Sequence, residues 1–300
     1  MTEVAGVMRQ QAMPAVVPEP TVPVHSELTL RTRIPAYSVM DECLRRQAEA
    51  APRGAVARFF GRDPLHPDAV SWYRGTLGEL EVARVLARLD PAWVVLHAVP
   101  VGSSGADIDH IVIGPGGTFT INTKNHGGKK IWASGNGFMV DGQKQSHIRN
   151  SLFEAERASD LLSAGAGFPV AVTPVLVVVR PQSIASTTPA VVVMASTDLF
   201  RWLKRRPRMQ TAEAIRQIAA AAEQRSTWCT GQPRTPTTEQ ALAAANAQRF
   251  AALRADVDVA HARRQGWSLV GASLFLAVVV GAALALLPFV PAILAAMMAS

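Results

Sequence analysis

Residues 106–125 read ADIDHIVIGPGGTFTINTKN, and this stretch decides the fold. The runs 107–113 (DIDHIVI) and 118–124 (TFTINTK) are rich in β-branched residues and flank the Gly/Pro turn GPGG at 114–117. Two strand-like runs around such a turn predict a β-hairpin. Strand side chains alternate faces, so Asp107, Asp109 and Ile111 share one face, as do Thr120, Asn122 and Lys124 on the next strand. Symmetric closure through Pro115 and Gly116 sets Asp109 opposite Asn122 and Asp107 opposite Lys124. Cross-strand partners hold their Cβ atoms ~5 Å apart. Two carboxylates, an amide and an amine therefore converge on one patch.

Oxygen donors of this kind suit Mg²⁺, with Mn²⁺ as a substitute; Mg²⁺ keeps several waters and takes only one or two carboxylates. A cation beside phosphate neutralises charge, and a neighbouring lysine orients the nucleophile or stabilises the phosphate. Glu79, on the preceding segment, can complete the site as ligand or base, giving Glu79, Asp109 and Asn122 as metal ligands. Gly75 and Gly78 allow that segment to approach other backbone closely. Asp opposite Lys on a hairpin is also an ordinary cross-strand pair.

Working outward, 72–89 (WYRGTLGELEVARVLARL) carries Leu77, Leu80, Val85 and Leu89 at helical spacing. A strand is expected at 93–99, a second hairpin at 130–140 turning at 134–137, and a helix at 145–163. The continuous apolar run 171–179 predicts a strand buried on both faces. Another strand at 190–195 and helices at 197–204 and 211–225 close the domain. Upstream, 28–65 reads as irregular apart from a short helix at 41–51. The expected architecture is α/β, a mixed sheet flanked by helices.

Residues 71–180 resemble the NERD (nuclease-related) domain, a branch of the PD-(D/E)xK nuclease-like superfamily. The resemblance rests on GTLGE at 75–79, ADIDHIVIGPGG at 106–117, FTINTKN at 119–125, Trp132 and Gln145. It implies a restriction-endonuclease-like sheet, phosphodiester hydrolysis of DNA or RNA, and active-site positions at Glu79, Asp109 and Lys124. Gln145 matches a later polar position of the pattern. Asn122 departs from it, standing where the pattern usually has Glu. An Asn still offers a carbonyl oxygen to a metal but lacks the charge. A catalytically inactive module that grips nucleic acid, or one that binds another protein, is therefore the alternative to a nuclease.

No Asp, Glu, Lys or Arg follows Arg264. Residues 267–287 (WSLVGASLFLAVVVGAALALL) match in length a helix crossing a hydrocarbon core of ~30 Å. Arg263 and Arg264 precede the span and Trp267 sits at its edge, so the positive-inside rule predicts a single-pass protein whose N-terminal domain is cytoplasmic. Ala277 and Gly281 form a small-xxx-small pair that supports helix pairing, hence a homodimer. Pro288 and Pro291 break the helix. The apolar tail beyond them can lie in the interface, extend the span or turn back. Residues 238–264 are alanine-rich and polar, a helical stalk into the membrane. The expected division is 1–65 irregular, 66–230 nuclease-related, 231–265 linker (231–236) and stalk, and 266–300 transmembrane.

The formal net charge is +7 over 300 residues, which favours polyanionic partners, nucleic acid or anionic lipid. Lys129, Lys130, Arg205 and Arg206, the latter two within RWLKRRPR at 201–208, are the candidate phosphate contacts. Two distant cysteines, Cys43 and Cys229, form no zinc site or disulfide framework and suit a reducing compartment. Prolines at 14, 18, 20 and 23 interrupt 1–24, which reads as a disordered tail rather than a signal peptide. His110 alternates away from the acidic face and is expected to be structural. His126 follows the lysine strand and can reach phosphate, but as a loop histidine it reads as a solvated residue. GPGG lacks the Lys-Ser/Thr of a phosphate-cradling loop.

Overall fold

The structure, a computed structural model, describes residues 29–102, 106–188, 190–229 and 236–287. The expectations placed on 1–24, on most of the 231–236 linker and on 288–300 lie outside the described residues. Helices α1 (Tyr37–Gln47), α2 (Ala55–Phe59) and α3 (Val70–Leu86) lead into strands β1 (Val94–Val101), β2 (Ala106–Gly114) and β3 (Gly117–Asn125). Short strands β4 (Lys130–Ser134), β5 (Gly137–Val140) and β6 (Gln143–Gln145) precede α4 (His147–Ala166). Then come β7 (Val172–Val179), β8 (Ser183–Thr187) and β9 (Val192–Ala195). Helices α5 (Ser196–Arg205), α6 (Ala212–Glu223), α7 (Arg225–Trp228) and α8 (Pro236–Leu286) follow.

The main sheet runs β1-β2-β3-β7-β9, antiparallel through β3 and parallel from β3 to β9. It is flanked by helices, as expected. A second mixed sheet, β6-β5-β4-β8, contains the expected hairpin at 130–140 as β4–β5; its outer strands β6 and β8 were not anticipated. Its strand β8 (SIAST) has no apolar run to announce it and forms by pairing with β4. The helix expected from 145 starts at His147, because Gln143–Gln145 pair with β5 instead. Its far end stops at Gly167, whose φ of 79° lies in the left-handed region that glycine occupies without a Cβ penalty.

One sheet face buries Leu96, Ile111 and Ile113 against Leu162 of α4, Ile218 of α6 and Trp228 of α7. The other buries Phe119, Ile121, Val175 and Val177 against Val82 and Leu86 of α3 and Leu199 of α5. β7 is apolar on both sides because helices cover both faces of this parallel pair. At the hairpin turn Gly114 lies under the Trp93 ring, where an added Cβ would stand 2.2 Å from a ring carbon. Only glycine permits that approach.

Residues 29–65 do more than the expected irregular segment. Met40, Cys43 and Leu44 of α1 pack with Tyr73 of α3 and Phe250 of α8. Arg33 bridges Asp107 of β2 (3.4 Å) and Glu239 of α8 (3.7 Å), and Asn246 donates to Asp41 at 2.8 Å. The first half of α8 is thus docked on the domain, whereas the side chains from His261 to Ala285 are exposed. Among the described residues this is the one helix long and apolar enough to cross a membrane.

His97 and His110 face each other across β1 and β2, Nδ1 to Nδ1 at 2.9 Å. Burial holds the His97 imidazole down to about 4 and pushes His110 well below the usual range. Both bases are neutral when folded and protonate more readily when unfolded, so their contribution to stability falls as pH drops through 6.5; for His97 the loss is complete below about 4. We predict that replacing His97 by Gln shrinks the loss of stability between pH 7.5 and pH 5 by about 2 kcal/mol. Thermal or urea unfolding of the two proteins at both pH values checks this. Equal losses would dismiss the imidazole as the cause.

Candidate active site

The β2–β3 ladder runs from Gly114↔Gly117 to His110↔Ile121 and stops there. Its register is that of closure at Pro115 and Gly116, but the strands diverge just before Asp109 and Asn122 would pair. Asp109 spans the opening: its carboxylate accepts the Thr123 backbone N–H at 2.6 Å. On its other side the β1–β2 pairing skips Ala98, whose φ of 48° is left-handed. A non-glycine residue in that conformation costs on the order of 1 kcal/mol. Ala98 lines a cavity of about 450 Å³ together with Tyr37, Ser38, Glu79, Asp107 and Asp109.

α3 delivers Glu79 to this opening. Gly78 lets the helix settle on β3, since a Cβ there would lie 3.1 Å from Cβ of Asn125, while Gly75 faces open space. The Asn125 amide also donates to the Arg74 carbonyl at 2.7 Å. The next residue, Glu79, is buried and interacts electrostatically with Asp109, Lys124 and Asp107. Lys124 is half-buried and makes no salt bridge of its own among the described residues. Its charge acts on Glu79, Asp109 and Glu154.

Asn122 holds the feature that sequence reasoning missed. Its Nδ2 donates to both carboxylate oxygens of Glu154, at 2.8 and 2.9 Å. Glu154 stands on α4 beside the buried small residues Ser151, Ala155 and Ala158. A carboxylate bordering that small-residue stripe was the available signal. A carboxyl group from a helix thereby stands beside the amide at position 122. His147, at the start of α4, was also missed. Its ring stacks on His126 with Nε2 atoms 3.3 Å apart, so His126 is not the solvated loop residue expected.

Four carboxyl groups crowd here, and all are pushed upward. Burial raises Glu79 well above the usual range, aided by Asp109 and Asp107 and offset by Lys124. Burial likewise raises Asp109, against Lys124 and the Thr123 N–H. It lifts Glu154 to about 7, opposed by the Asn122 amide and reinforced by Asp109. Asp107 rises by burial despite Arg33 and Ser38, which bind it. The expected Asp107–Lys124 pair does not form, because the strands carrying them have separated.

The donor types here are those a hard divalent cation takes. Asn122 Oδ1 is buried with no hydrogen-bond partner, beside the Glu154 carboxylate and on the strand face of Lys124. Carboxylate and amide oxygens are the ligands Mg²⁺ and Mn²⁺ prefer. A tighter group of ligand atoms, all within 4.8 Å, is formed by Glu49, His66 and Asp68 at the surface. Glu79, Asp109 and Glu154 are not so closely gathered.

The remaining expected site residues are dispersed. Gln145 sits on β6 opposite Phe138, in the second sheet. Lys129 pairs with Asp141 at 2.9 Å, and Lys130 is exposed at the start of β4; both follow the Lys124 end of β3. Arg205 and Arg206 end α5, and an added Gly116 Cβ would meet Arg206. Gly116 just precedes β3 and Lys124 lies near its far end, on the order of 26 Å away at strand rise. The α5 arginines are therefore remote from the carboxylates.

Residues 74–179 match a family model described as NERD, nuclease-related domain, and the chain carries that domain. An uncharacterized protein of Bacillus anthracis is 45% identical over 60 residues, covering 19% of this chain and 28% of the relative. The match thus spans under a third of that relative's length. No solved structure matches.

Because Glu154 must shed a proton near pH 7 to meet a cation, Mn²⁺ is expected to bind the full-length, detergent-solubilised protein more tightly at pH 8 than at pH 6. Glu154→Gln should weaken binding roughly tenfold or more and flatten this dependence. Calorimetric titration provides the readout. An affinity indifferent to pH, to Glu154→Gln and to Asp109→Asn would remove these side chains from any metal site.

Proposed function

We propose that this chain is a membrane-tethered nuclease whose soluble domain faces the cytoplasm and hydrolyses phosphodiester bonds of DNA or RNA with a divalent cation. The observation that carries this reading is the Asn122–Glu154 pair with its unpartnered Oδ1, set beside Asp109 and Lys124 in a nuclease-related domain. Glu79, Asp109, Asn122 and Glu154 would hold the cation, Mg²⁺ or Mn²⁺. When bound, it supplies positive charge against phosphoryl oxygens. Lys124, free of any salt bridge among the described residues, is placed to hold the attacking water or the charge developing on phosphate. Asp109 keeps the strands at the separation the site requires. The α1 side of the cavity adds Asp41 and Glu42 and favours cations. The polyanion is therefore expected from the side of Lys124, Lys129 and Lys130.

The membrane reading rests on α8. Its exposed apolar side chains beyond Trp267 have no protein cover among the described residues, and Arg263 and Arg264 precede them. Under the positive-inside rule, those arginines support a cytoplasmic domain.

A second reading is a nucleic-acid-gripping module that does not cut. It is favoured by the raised carboxyl groups, which take up protons where a catalytic metal site needs charge. Single- and double-stranded DNA and RNA, incubated with the purified full-length protein with and without Mg²⁺ or Mn²⁺, separate the two. The nuclease reading expects metal-dependent cleavage, reduced at least ~100-fold by Lys124→Ala and by Asp109→Asn, which retains an acceptor for Thr123. Cleavage that survives both substitutions would reject this site. Salt-sensitive binding without cleavage, unchanged by metal, would assign the module instead.

A further inference from the structure

At the foot of the candidate span the domain presents a second apolar surface that the nuclease reading leaves unused. Gly61, with φ of 72°, brings the chain against α8; a Cβ there would lie 2.4 Å from the Ala260 carbonyl oxygen. The preceding residues are then tied to the helix. Arg263 donates to the Arg58 carbonyl at 2.8 Å, and the Trp267 indole donates to the Phe59 carbonyl at 3.0 Å. The Phe59 and Phe60 rings each stand 5.0 Å from the Trp267 ring, centroid to centroid.

Despite these contacts the cluster is open. Val56 is 72% exposed, Phe59 56% and Phe60 52%. Burying side chains of this kind is favourable, so their joint exposure in water is unfavourable. Basic residues alternate with them: Arg53, Arg58 and Arg62 lie within ten positions, and Arg263 and Arg264 come from α8. Arg53 is paired with Asp256 and Arg264 with Asp63, while Arg58 and Arg62 make no salt bridge among the described residues. Apolar and aromatic side chains interleaved with arginines, level with the residue that opens a membrane span, have the chemistry of a bilayer's headgroup boundary.

We propose that Val56, Phe59, Phe60 and Trp267 form an interfacial anchor, inserted among the lipids around α8, with Arg58 and Arg62 on anionic headgroups. The anchor rests on the membrane reading of α8. Its occupant is the bilayer because the cluster is continuous with the span through Trp267 and carries unpaired positive charge. α8 alone would leave the domain free to rotate and tilt about one helix. A second contact at its foot sets one face of the domain toward the lipid.

The test uses the full chain with Cys43 and Cys229 replaced by Ala and one nitroxide label at Val56→Cys, Phe60→Cys, Asp68→Cys or Leu276→Cys. Each protein is placed, one copy per disc, in phosphatidylcholine nanodiscs with or without phosphatidylglycerol. Collision rates with oxygen and with a water-soluble nickel chelate report depth. Positions 56 and 60 are expected to favour oxygen severalfold over position 68, more so with phosphatidylglycerol, and Arg58→Glu with Arg62→Glu should remove that lipid dependence. Labels at 56 and 60 as wet as at 68, with 276 deep, would overturn the anchor and leave the span. A wet 276 would overturn the membrane reading and the anchor together. Protection at 56 and 60 only in crowded vesicles, and not in single-copy discs, would assign the surface to a second copy and overturn the lipid anchor.

Discussion

The hydrogen bond from the Thr123 N–H to the Asp109 carboxylate organises everything around it. Two antiparallel strands that stop pairing expose backbone groups, and a buried donor left unmade costs about 1–3 kcal/mol. Asp109 satisfies the donor while holding the strands apart, so the gap is a defined feature rather than a frayed end. Glu79 on α3 and Glu154 on α4 both interact with Asp109 there. The same bond partly stabilises an anionic Asp109 against the cost of burial.

The crowding of carboxyl groups around one lysine follows from that gap. Each is desolvated, Glu79 and Glu154 are also repelled by Asp109, and Lys124 offsets only part of this. Such a cluster persists by taking up protons or by taking up a cation. The Asn122 amide tilts the balance: Nδ2 fastens Glu154, and Oδ1 remains an acceptor with nothing to accept. A glutamate at 122 would have met Glu154 as a second like charge. The two positions are therefore coupled, and the departure from the family pattern at one is answered at the other.

The hairpin register was legible because period-two alternation and the GPGG turn act locally. So were α3, β7 and the exposed apolar end of α8, which follow from composition and spacing over a few turns. The early end of the β2–β3 ladder was not legible, since it depends on how Asp109 and Ala98 resolve competing backbone bonds. An uninterrupted ladder would have made the Asp107–Lys124 pair. In the structure Arg33 and Ser38, from a segment read as irregular, hold Asp107 instead. Glu154 and His147 escaped because their helix meets the sheet only in three dimensions. β8 escaped because its polar sequence becomes a strand only when β4 offers an edge.

One continuous helix, α8, runs from the Asn246–Asp41 hydrogen bond past Phe250 to the exposed apolar residues of the candidate span. Asp41 belongs to α1, whose Tyr37 and Ser38 wall the acidic cavity. With no break between its docked and its apolar halves, α8 behaves as a strut. If α8 spans a bilayer as proposed, lateral stress or a change of thickness that leans the strut would also bear on the helix forming the cavity wall. On the membrane reading proposed above, the lipid environment and the carboxylate cluster would share a mechanical linkage, with the bilayer acting as a load on the pocket.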